Sequence, residues 1–75
     1  MKELIYKSLK AKAESEKAEA LATLSIYFQN PAGIGEHPQM MEEAYKQLGK
    51  LAAANDNLEN LEAYWSALHS KGINS

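Results

Sequence analysis

The side chains able to do chemistry in this chain are few. Histidine occurs at His37 and His69, aspartate only at Asp56, and there is neither cysteine nor arginine. A Ser–His–Asp triad would have to run through Asp56, and no serine stands in the strained turn that presents a hydrolase nucleophile. Without cysteine there is no disulfide frame, no thiolate zinc site and no sulfur nucleophile. Glu16 and Glu19, and again Glu59 and Glu62, stand three apart. A di-iron bundle, however, requires Glu-x-x-His on two of its helices, and that motif is missing. These carboxylates read as a solvated outer face. No catalytic residues, no metal and no cofactor are expected.

One segment has the composition of a ligand loop: Gly33, Ile34, Gly35, Glu36 and His37. Two glycines ahead of a helix start can aim backbone N–H groups at an anion. The segment lacks the Lys-Ser/Thr pair of a phosphate loop, and no strand precedes it. The leading reading is a connection whose glycines admit positive φ, with Ile34 covering the end of the core. A small-ligand or metal-binding module on Gly33, Gly35, Glu36 and His37 is the alternative. In an antiparallel pair of helices His37 and His69 lie at opposite ends, so one chain cannot bring both to a single metal.

The elements that must position these residues follow from the breakers. Both prolines, Pro31 and Pro38, and two of the four glycines fall within residues 30–38. The flanking stretches are rich in Ala, Leu, Lys, Glu and Gln, all strong helix formers. A residue before proline is pushed out of helical geometry, whereas proline itself suits a first helical turn. The expected fold is therefore all-α: an antiparallel two-helix hairpin with helices at about 3–28 and 38–70. Lys71, Gly72 and Ile73 have the pattern of a left-handed glycine stop, with Ile73 folding back on Leu68. Glu3–Lys7 and Glu42–Lys46 are favourably oriented i,i+4 pairs.

Asp56 followed by Glu59 resembles a capping box, so a three-helix bundle with a break near Asn55 is the alternative. Against the break, Leu51, Ala54, Leu58, Leu61, Trp65 and Leu68 keep an unbroken 3-4 spacing.

The apolar pattern bears on function. In the first helix Ser8, Ala11, Ser15, Ala18, Ala22 and Ser25 form a stripe of small residues, the expected close seam with the second helix. From Ala18 to Phe28 apolar residues occupy almost the whole circumference, more than one neighbour can cover. In the second helix the apolar stripe starts at Met41, Tyr45 and Leu48 and then moves to Leu58, Leu61, Trp65 and Leu68. That displacement exceeds the drift of a regular heptad. The expected core and oligomer interface comprises Leu21, Leu24, Tyr27, Phe28, Leu48, Leu51, Leu58, Leu61, Trp65 and Leu68. Tyr64 faces aside as a candidate contact for another protein.

A hairpin has one internal interface and no interior, so the chain is expected to associate with itself into a helical bundle, as a dimer or higher. The 75 residues carry a net charge of −2, with all eight basic residues lysine. That argues against a nucleic-acid partner, which selects for a basic excess and arginine. The five lysines of residues 1–17 are instead expected to lie beside Asp56, Glu59 and Glu62. No 18-residue apolar stretch and no leader-like segment is present, so a cytoplasmic protein without membrane contact is expected.

The loop NPAGIGEHP (residues 30–38) and the helix containing LAAANDNLENLE (residues 51–62) resemble small uncharacterised helical-hairpin proteins of large tailed phages of marine bacteria. With the flanking ALATLSIYF and EAYW, the resemblance spans about residues 18–65. It implies a phage-derived accessory protein acting in the host cytoplasm, and it carries no catalytic or binding residues with it.

Overall fold

The computed structural model describes residues 1–29 and 38–74, with Pro38 and residues 71–74 described through their backbone only. Two helices, α1 (Lys2–Gln29) and α2 (Pro38–Asn74), pack against each other as an antiparallel hairpin. The segment Gly33–His37, with its candidate ligand residues, lies outside the described residues.

Helix α1 contains neither glycine nor proline, and the Met1 carbonyl accepts its first-turn hydrogen bond from the Ile5 N–H at 3.0 Å. Glu3 sits in that turn, where the helix dipole favours a negative charge. Helix α2 opens on Pro38 and runs 37 residues without interruption. The break near Asn55 does not occur. Asn60 turns its amide back to the Asp56 carbonyl at 2.9 Å, so this polar stretch is satisfied within one continuous helix. The expected stop at residue 70 is corrected: α2 continues to Asn74, and no described glycine has positive φ. Gly72 admits the left-handed region but does not require it, and continuing the helix satisfies the same carbonyls.

The seam between the helices is a pair of regular 4-3 runs. In α1 it consists of Tyr6, Lys10, Ala13, Lys17, Ala20, Leu24 and Tyr27, all at least partly covered. In α2 it begins Met40, Ala44, Gln47, Leu51 and Ala54, then continues Leu58, Leu61, Trp65 and Leu68. Tyr6 stacks on Trp65, with ring centroids 4.5 Å apart. That contact fixes the register: stepping along both runs sets Ala13 opposite Leu58, Ala20 opposite Leu51 and Tyr27 opposite Ala44. Small residues thus face large ones, the arrangement that lets two helices interdigitate.

Two expectations about this seam are corrected. The small-residue stripe Ser8, Ala11, Ser15, Ala18, Ala22 and Ser25 is exposed throughout, on the side of α1 away from α2. Ala13 and Ala20 make the close approach instead, because they keep phase with Tyr6 and Leu24 and the other stripe does not. Nor does the seam of α2 change face. Met41, Tyr45 and Leu48 belong to a second, outward stripe, and the true seam at that end uses Met40, Ala44 and Gln47.

Among the described residues the buried positions are Ala13, Ala20, Ala44 and Ala54, and no larger side chain is buried. Leu24, Tyr27, Leu51, Leu58, Leu61, Trp65 and Leu68 are half-buried along the seam. Leu21, Phe28 and Leu48, from the same expected set, face outward. Lys10 and Lys17 occupy seam positions, where their methylene stems can cover the alanine line while the ammonium groups stay in water.

Candidate interaction surfaces

At the open end of the hairpin α1 presents Tyr6 and α2 presents Glu62, Trp65 and His69. The Tyr6 hydroxyl donates to the Glu62 carboxylate, with Oε2 at 2.9 Å. That bond, reinforced by partial desolvation, holds the Tyr6 phenol above its ordinary pKa of 10.0. Lys10 Nζ lies 5.8 Å from the centre of the Tyr6 ring, within cation–π range. His69 packs edge-on to Trp65, centroids 4.3 Å apart, with Nδ1 2.9 Å from the Trp65 carbonyl oxygen. The Nδ1–H tautomer donates there. The result is a three-ring cluster that joins the two helices at the open end of the hairpin.

Among the described residues the ion pairs form within helices rather than between them: Lys12–Glu16 at 3.6 Å and Lys46–Glu43 at 3.2 Å. Lys46 therefore takes Glu43 rather than the expected Glu42, and the Glu3–Lys7 pair is not among them. The expected meeting of the α1 lysines with the acidic stretch of α2 yields no interhelical ion pair among the described residues. Glu62 is taken by a phenol. Sequence reasoning missed Tyr6, whose signal was its place at the head of the 4-3 run.

The two long edges of the hairpin differ. Residues one position before a seam residue line the first edge: Leu9, Glu16, Lys50, Asn57 and Tyr64. Shallow grooves run along it, lined by Leu9, Lys12, Glu16, Asn57 and Asn60, then by Glu16, Glu19, Lys50 and Ala53. At its open end Ile5, Leu9, Tyr64 and Leu68 border a groove of about 290 Å³ beside the Tyr6–Trp65 stack. Tyr64 is exposed there, as expected.

The residues one position after a seam residue line the second edge. In the loop half these are Leu21 and Phe28 of α1 with Met41 and Leu48 of α2. Phe28 is 76% exposed and Met41 58%. Tyr45, Ala18, Ser25 and Ala52 flank them, all exposed.

No three His, Asp or Glu residues among those described converge to hold a metal ion. No described helix is long and apolar enough to cross a membrane. No known protein family, curated protein or solved structure matches this chain.

Proposed function

We propose that this chain is a non-enzymatic structural or interaction protein that works by associating with copies of itself. One observation carries the reading. The hairpin exposes 5883 Å², whereas a compact monomer of this mass exposes only about 4,600 Å². The excess of about 1,300 Å² exceeds the roughly 800 Å² that each partner contributes to a standard interface. Its radius of gyration of 17.3 Å, against about 11 Å for a compact chain of this length, says the same in linear measure. Much of the exposed surface is apolar: Leu21, Ile26, Phe28, Met41, Tyr45, Leu48 and Tyr64 all stand in it. Large apolar side chains left exposed in this number are driven out of water by association.

The resemblance of residues 30–38 and 51–62 to phage hairpin proteins supports an accessory role in a host cytoplasm, where a second protein partner is compatible with the same surfaces. Sedimentation across a hundredfold dilution tests the reading. The expected result is a dimer or larger species at high concentration that dissociates on dilution. A monomer throughout that range overturns it.

A further inference from the structure

The geometry points to a specific site of self-association: the loop half of the second edge, where Leu21, Phe28, Met41 and Leu48 of one chain meet the same four residues of a second copy across a two-fold axis. This inference rests on the self-association proposed above and names its surface.

Charge decides which edge. In an isologous contact each side chain near the axis faces its own copy, so any charge there meets a like charge. Along the loop half, the outward positions of the second edge are Ala18, Leu21, Ser25 and Phe28 on α1. On α2 they are Met41, Tyr45, Leu48, Ala52 and Asn55. None is charged. The first edge over the same half carries Glu16, Glu19, Glu43, Lys46 and Lys50, so whichever of them lie nearest a two-fold axis there would meet their own sign. The open-end groove is also disfavoured, because Lys2 borders it and the Tyr6–Trp65 stack already occupies its floor.

Register decides how far the contact extends. With Tyr6 level with Trp65, Leu21 lies close to the height of Leu48, and Phe28 close to that of Met41. The four therefore form one patch rather than two. Beyond it the same edge reaches Glu14 on α1 and Glu59 and Glu62 on α2, which confines the dry contact to the loop half. Joining two patches brings four helices around one apolar centre, the interior that a single hairpin lacks.

The test compares Leu48→Glu with Ile26→Glu in the full chain by sedimentation, with far-ultraviolet circular dichroism to monitor helix content. Both residues are exposed in the isolated hairpin, and Ile26 points toward the charged edge. Leu48→Glu is expected to raise the dissociation constant about 30-fold or more, as loss of an interface hot spot does. Ile26→Glu should leave it within a factor of about three. An equimolar mixture of Leu48→Glu and Leu48→Lys chains should recover association, which a variant that merely failed to fold would not do. If the unmodified chain associates but Leu48→Glu changes nothing, or Ile26→Glu is the damaging change, this edge is wrong while self-association stands. A wild-type chain that stays monomeric overturns both.

Discussion

At the scale of single residues, the contact that closes the hairpin is Tyr6 against Glu62 and Trp65. Its titration has a definite sign. Folding raises the Tyr6 pKa above 10.0, so the folded state holds the phenolic proton more tightly than the unfolded state does. The stabilisation is fully present below pH 10 and is lost as pH rises through the folded value. Tyr6→Phe keeps the ring stack and removes the bond to Glu62. It is expected to lower the melting temperature at neutral pH and to flatten the decline above pH 10. Fluorescence of Trp65, the sole tryptophan, reports both. A variant with an unaltered alkaline limb would show that the Glu62 bond does not contribute in solution. Tyr6 was hard to read from the sequence because Lys10 and Lys17 hold two of the next seam positions. A polar-against-apolar reading assigns both lysines to solvent and so loses the run that Tyr6 begins. Ile5 and Leu9, the obvious anchors nearby, are instead half exposed beside it.

At the scale of the elements, the two helices and the continuity of α2 were legible. Helix formers flanking a cluster of proline and glycine leave little else, and the spacing from Leu51 to Leu68 keeps phase through Asn55–Asn57. Asn57→Pro separates the two architectures. In a three-helix fold capped by Asp56 it would sit at a first helical position and be tolerated. In the continuous helix it removes an interior hydrogen bond and should cost about 3 kcal/mol or more in thermal or urea unfolding. The seam of α1 was legible in kind and wrong in face. Alanine and serine recur so often that two stripes of small residues satisfy the same spacing, and only packing against Leu51 and Leu58 selects between them. Ala20 is 0% exposed. Ala20→Leu should force the axes apart and destabilise the hairpin by about 1–3 kcal/mol. The same change at the exposed Ala22 should be close to neutral.

At the scale of the whole molecule, the described structure is a rod of 59 × 20 × 16 Å. Its interior is a single line of four alanines, too little apolar burial for a chain this short to be robust alone. Stability is therefore expected to depend on concentration. The melting temperature of a dimer of this size should rise roughly 4 °C for each tenfold increase in concentration, measurable by circular dichroism. A midpoint that does not move would mean that the hairpin is stable by itself. The all-round apolar character of residues 18–28 was readable in the sequence, and Leu21, Ile26 and Phe28 do stand exposed on the hairpin. Which edge each of them lines was not, because that depends on the register between α1 and α2.

The thinness of the rod has a consequence for its backbone. Its smallest dimension is little more than one helix with its side chains. On both broad faces each peptide group therefore lies under a single coat of side chains. Amide protons on the outward faces of such a ribbon are expected to exchange with solvent through shallow, local openings, away from the buried alanine line. Slow exchange in the turns around Leu21 and Leu48 would have to come from outside the hairpin itself, so deuterium uptake there registers whether a neighbour is in place.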